Sequence, residues 1–160
     1  MSENAQKALE IFNASIGQSD GHSESMKIEQ DRINAFADAT LDHQFIHIDP
    51  VKSAELSPYK TTIAHGYLTM SLIPHLSGSI PTKDPAAYVG VVMGINYGME
   101  KMRFPAPVPV DSTIRASREL LSAEQKAPNV IQLKQKITIE IEGSDKPACV
   151  AETLTRLIYA

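Results

Sequence analysis

The run IQLKQKITIEI, residues 131–141, decides the fold. Ile131, Leu133, Ile137, Ile139 and Ile141 fall on one face of an extended chain, and Gln132, Lys134, Lys136, Thr138 and Glu140 on the other. Side chains of a strand alternate with period two, so this run reads as a strand with one face on a core and one toward water. Gln135 alone interrupts the apolar face. Just downstream, Gly143-Ser144-Asp145 reads as a turn and residues 148–158 as a last strand, which together make a hairpin. Upstream, residues 112–121 are strand-like, and residues 87–97 (AYVGVVMGINY) form an apolar run rich in Val and Ile. Between them lie Pro105, Pro107 and Pro109, which suit an extended, edge-like segment.

The first half has a different period. Leu9, Phe12 and Ile16 recur at helical spacing within residues 3–16, and residues 17–21 (GQSDG) break the pattern. Residues 24–28 suit a short strand, and residues 29–39 a helix with Ile33, Phe36 and Ala37 on one side. Pro50 and Pro58 keep residues 40–63 irregular, with room for a turn of helix at 51–56. Residues 65–76 are apolar nearly all round, which predicts a buried helix that Pro74 bends or ends. Helices first and a meander of strands after argue for an α+β fold with an antiparallel sheet covering the 65–76 helix.

The 160 residues suit one domain over 1–160, large enough to bury a core without staples. A net charge of −4, no tryptophan and no basic stripe argue against nucleic acid as a partner. No apolar run reaches the roughly 20 residues that span a bilayer, and MSENAQKALEIFNAS has no secretory pattern, so a cytoplasmic protein is expected. The lone Cys149 begins a predicted buried strand and reads as a small core residue. No Cys/His metal spacing and no glycine-rich phosphate loop occur, so neither a metal nor another cofactor is expected.

Chemistry concentrates between Phe36 and Leu72, in FADATLDHQFIHIDPVKSAELSPYKTTIAHGYLTMSL. On an unbroken helix Asp42 and His47 would point about 140° apart. A loop over 40–50 lets a carboxylate and an imidazole face one cavity, where they can hold and activate one water. A solvated aspartate turn beside a surface histidine is the bland alternative for this spacing. Asp49-Pro50 reads as a turn or helix start, and Asp38 as solvent-facing. His65-Gly66 precedes the apolar helix, where free N–H groups could meet a developing oxyanion and glycine admits a ligand. A glycine needed for packing and a capping or filling histidine is the alternative. His75 reads as a core or edge histidine.

The string FADATLDHQFIHIDP followed by TTIAHGYLTMSL resembles the motif of the MaoC-like (R)-specific enoyl-CoA hydratases and dehydratases. Asn96-Tyr97-Gly98 and residues 103–110 (RFPAPVPV) resemble the branch holding NodN-like proteins and mycobacterial 3-hydroxyacyl-thioester dehydratases. The resemblance covers about residues 28–158, leaving residues 1–23 as an N-terminal helical extension. It implies a hot-dog fold, with an antiparallel sheet wrapped around a long central helix, and a homodimer whose sheets join. It also implies Asp42 and His47 as the catalytic dyad and the Gly66 N–H against the thioester oxygen of an acyl-CoA or acyl-carrier-protein substrate. His65, Gln44, Phe45, Asn96, Tyr97 and Arg103 are then candidates for the surrounding site, and Lys60, Lys101, Arg115 and Arg118 weaker ones for CoA phosphates.

Two departures stand out. The family's Asn-Pro between the dyad residues is Gln44-Phe45 here, and a small hydroxyl residue of some members corresponds to Pro74. The implied activity is reversible hydration of a trans-2-enoyl thioester to an (R)-3-hydroxyacyl thioester. A hot-dog acyl-CoA thioesterase and a non-catalytic acyl-thioester-binding NodN-like protein are the competing readings.

Overall fold

A computed structural model describes residues 2–160. Helix α1 (Glu3–Ala14) is capped by the Ser2 hydroxyl, which accepts the Ala5 N–H at 3.3 Å. Two short strands follow, β1 (Ser19–His22) and β2 (Met26–Lys27). Next come α2 (Gln30–Thr40), α3 (Phe45–Ile48), α4 (Pro50–Leu56), α5 (Gly66–Ser71) and α6 (Ile73–Gly78). A 3₁₀ turn at Pro85–Tyr88 leads into the long strands β3 (Val91–Arg103), β4 (Thr113–Ala127), β5 (Val130–Ile141) and β6 (Cys149–Tyr159). The expected N-terminal extension over 1–23 is therefore helical only to Ala14 and ends in strand β1; Met1 lies outside the described residues.

The sheet is antiparallel, in the order β1-β4-β5-β6-β3, with β2 beside β4. The alternation of β5 holds: Ile131, Leu133, Ile137, Ile139 and Ile141 are all buried. Gly143, with φ of +77°, supplies the left-handed residue of the β5–β6 hairpin. One expectation is corrected. The strands do not form a simple meander, because β3 crosses over to pair with β6 rather than with β4. Strand order is a long-range property that neighbouring residues do not encode.

The sheet and its helices form the hot-dog layout, but the central helix is two short pieces. Leu72 closes α5, and Pro74 sits in the first turn of α6, where its missing N–H does no harm. The helix is also not buried all round: Leu68, Thr69, Ile73 and Leu76 face the core, whereas Tyr67, Pro74 and His75 are exposed. His75 is thus a surface residue rather than a core or edge histidine.

The inner face of the sheet carries two separate apolar clusters. Ile114, Ala116, Ile137, Ile139, Cys149 and Ala151 pack with Ile33, Leu68 and Ile73. Leu120, Ile131, Leu133, Leu157 and Tyr159 pack with Ala5, Ala8 and Phe12 of α1. Helix α1 therefore covers one end of the inner sheet face and is part of the core.

Candidate active site

The site begins where α2 ends. Leu41 adopts the left-handed conformation (φ 63°) and is 80% exposed, so the helix stops and the chain turns sharply. Asp42 follows, its Oδ1 3.4 Å from the Gln44 N–H it faces within the turn. The Gln44 carbonyl then accepts the His47 N–H at 3.0 Å, starting the single turn α3. The expected loop over 40–50 is thus a loop only through Gln44, and His47 rides on a turn of helix. Asp49 caps α4 by accepting the Lys52 N–H at 2.9 Å, as its position before Pro50 predicts. Asp38 is on the surface, paired with His43 at 2.8 Å.

This turn brings together residues 5 and 23 positions apart in sequence. Asp42, His47 and His65 each place one donor atom within 4.8 Å of the other two. His47 is 7% exposed and His65 2%. Their rings stack at 3.8 Å with planes 23° apart, and Phe36 packs on His65 at 4.9 Å.

Backbone carbonyls set both tautomers. His47 Nδ1 lies 2.7 Å from the Ile63 carbonyl oxygen, which can only accept, so Nδ1 carries the proton and Nε2 keeps a lone pair. His65 Nε2 donates to the Asp42 backbone carbonyl at 3.0 Å, and its buried Nδ1 has no partner among the described residues. Burial holds the His47 imidazole below the ordinary histidine range. The Ile63 carbonyl opposes that shift, the nearby His65 adds to it, and the Asp42 carboxylate opposes it. His47 is therefore a neutral base at neutral pH, with a ring nitrogen within 4.8 Å of the Asp42 carboxylate.

Two histidines and a carboxylate are also metal-type ligands. A structural zinc needs ligand atoms converging tetrahedrally on one point. Nearly parallel stacked imidazoles direct their in-plane lone pairs side by side instead. The cluster suits moving a proton better than gripping a cation.

Gly66 opens α5, so its N–H has no partner within the helix. The Phe104 ring closes over it: a β-carbon at Gly66 would lie 2.9 Å from Phe104 Cδ2 and Cε2. Phe104 in turn meets Tyr67 edge-on, with ring centres 6.2 Å apart. Gln30 supports the site from behind. Its amide nitrogen donates to the His47 carbonyl at 2.7 Å, and its oxygen accepts the buried Thr62 hydroxyl at 2.6 Å.

The remaining candidates are spread out. Gln44 is exposed and serves the site through its backbone. Phe45 lies beneath the Lys52 ammonium, 5.9 Å from the ring centre. Asn96 lines a cavity of about 540 Å³ between the α5–α6 segment and the sheet. Tyr97 points to the other face of β3, where the Arg156 guanidinium sits 3.5 Å over its ring. Arg103 ends β3 at a smaller cavity shared with Lys101 and Lys136. Phe104, Gln30 and the Ile63 carbonyl escaped sequence reasoning. Phe104 could have been found from its place at the head of the proline-rich segment; nothing in the sequence marks the other two.

The family described as "MaoC like domain" matches residues 12–141. The chain is 46% identical over 145 residues to the 3-hydroxyacyl-thioester dehydratase Z of Mycobacterium tuberculosis, covering 91% of this chain and 92% of that protein. It is 38% identical over 142 residues to nodulation protein N of Rhizobium leguminosarum, covering 88% and 84%. Among solved structures, a MaoC-like dehydratase from Rhodospirillum rubrum superposes with a TM-score of 0.70 at 15% identity, covering 91% of this chain and 93% of that one.

Proposed function

The chain belongs to the MaoC-like domain family, and from that premise we propose that it catalyses reversible hydration of a trans-2-enoyl thioester to an (R)-3-hydroxyacyl thioester. The observation that carries the reading is the buried His47 ring, its Nδ1–H held by the Ile63 carbonyl, clustered with the Asp42 carboxylate within 4.8 Å. The relative named a 3-hydroxyacyl-thioester dehydratase supports the substrate class.

In the hydration direction a water sits between the Asp42 carboxylate and His47 Nε2. Its oxygen bonds to the β-carbon as the double-bond electrons move toward the thioester carbonyl. The dyad takes one proton from the water and returns one to the α-carbon, so H and OH are added across the double bond and the dyad is regenerated. The Gly66 N–H meets the charge that develops on the thioester oxygen. A donor of this kind is worth about 2.7–4 kcal/mol of barrier. The role of His65 is positional: its donation to the Asp42 carbonyl and its stacking on His47 tie the two halves of the dyad together.

The working form is a homodimer joined through β3. That strand is the long edge of the sheet, opposite the short β1–β2 edge, and exposes Val92, Met93, Ile95, Tyr97 and Met99. Long exposed apolar edges are pairing surfaces. The carrier, CoA or acyl carrier protein, places its phosphates near Arg103, Lys101 and Lys136.

The test follows loss of enoyl-thioester absorbance with crotonyl-CoA beside a free-thiol assay. Loss of conjugation without thiol release, lowered about 10²–10⁴-fold in kcat by Asp42→Asn, is the expected result. Thiol release would move the assignment to a thioesterase. Tight acyl-CoA binding with no turnover would make the protein a binder.

A further inference from the structure

The two apolar clusters on the inner sheet face are divided by polar residues. Gln135, the residue that breaks the alternation of β5, pairs with Leu120 on one side and Thr153 on the other. One step along β4 lies Arg118, opposite Ile137. Gln135, Thr153 and Arg118 all line the 540 Å³ cavity beneath α6, and Ser77 of α6 lines it too. A line of polar groups across an otherwise apolar face is costly to bury unless each finds a partner.

The charge on this line is already balanced. Arg118, with its side chain 11% exposed, holds Asp20 through Nε at 2.9 Å and its second terminal nitrogen at 2.8 Å. The Thr153 hydroxyl is committed to the Gln135 backbone carbonyl at 3.3 Å. The Ser77 hydroxyl oxygen is buried and has no partner among the described residues. Apart from the Asp20-paired Arg118, the described residues that line the cavity are uncharged, which suits a hydroxyl or a carbonyl and disfavours an ammonium.

The position of this line relative to the proposed reaction centre defines its use. Met70 and Ser71, one turn beyond Gly66, already line the cavity, and Ser77 lies near the end of α6. At the helical rise that is roughly 16 Å from Gly66. We propose that the cavity receives the acyl chain and that Gln135 and Ser77 select chains carrying a neutral oxygen, hydroxyl or keto, far from the reacting double bond. The selection rests on the hydratase reading of the dyad. A plain alkyl chain leaves the serine and the glutamine without partners, whereas an oxygenated chain satisfies them. Sites built around such polar groups discriminate against analogues that lack the matching group.

The experiment compares three substrates: crotonyl-CoA, trans-2-dodecenoyl-CoA, and the dodecenoyl thioester hydroxylated at its far end. The wild type is expected to favour the hydroxylated chain over the plain one by about tenfold in kcat/KM. Gln135→Leu completes the apolar alternation, so it is expected to reverse that preference while leaving crotonyl-CoA turnover within about twofold. Ser77→Ala should weaken the preference in the same direction. Equal kcat/KM for the two long chains in the wild type overturns the proposal while leaving the hydratase reading standing. If crotonyl-CoA is not hydrated at all, the hydratase reading falls, and protection against heat unfolding by the two long thioesters decides the cavity separately. Stronger protection by the hydroxylated chain supports the selectivity; equal protection overturns it.

Discussion

Replacing Gln30 with leucine tests whether the site is held from behind by one amide. Gln30 donates to the His47 carbonyl at 2.7 Å and accepts from the Thr62 hydroxyl at 2.6 Å. Thr62 is 0% exposed, so leucine at position 30 strands its hydroxyl without water. A stranded buried group costs about 1–3 kcal/mol, and the lost bond to the His47 carbonyl about 0.5–1.5 kcal/mol. The total, about 1.5–4.5 kcal/mol, corresponds to a fall in Tm of roughly 3–18 °C at about 2–4 °C per kcal/mol for a domain of this size. The assay is thermal unfolding of the wild type, Gln30→Leu, Thr62→Val and the double variant. Removing both partners leaves no unmatched group at the Thr62–Gln30 contact, while the bond to the His47 carbonyl is lost only once, so the double variant should lose less than the two single losses added together. His47 also loses its tether, so kcat/KM should fall in Gln30→Leu more than in Thr62→Val. A Tm for Gln30→Leu within about 1 °C of wild type would refute the reasoning, as would strict additivity in the double variant.

Three other outcomes follow from the same geometry. Gly66→Ala keeps the N–H but drives a β-carbon against Phe104, so kcat should fall; Phe104→Ala in the same chain should restore most of it, and failure to do so removes the ring as the cause. Burial lowers the His47 pKa, so the unfolded chain takes up its proton first as pH falls through about 6.5. Stability is therefore lost downward from there, and the acid limb of kcat/KM lies below that value; denaturant unfolding and a rate profile between pH 4.5 and pH 8, about two units below and one and a half above, measure both. Burial pushes the Cys149 thiol up to about 11, so iodoacetamide at pH near 8 should label the denatured chain and spare the native one.

Much of the fold was legible because period-two and period-3.6 patterns are local. The β5 strand, the β5–β6 hairpin and the α2 helix each follow from side chains within a few positions of one another. The crossover of β3 to the β6 edge was not legible, because nothing near Val91 states which strand it will meet. The break between α5 and α6 was half legible: Pro74 announced it, but the exposure of Tyr67 and His75 depends on what packs beside them. In the site, Asp42 and His47 were identifiable by residue type and by resemblance. Gln30 was not, because its contacts lie 17 and 32 positions away.

The sequence by itself determined the antiparallel α+β character, the buried face of β5 and the residues capable of acid–base chemistry, since residue type and near-neighbour spacing suffice for those. Only the tertiary structure decided that Asp42, His47 and His65 converge, because a left-handed Leu41 and a distant Ile63 carbonyl set their places. It also decided which His47 nitrogen keeps its lone pair. A histidine tautomer follows from the partner its ring meets, and here that partner is 16 residues away along the chain.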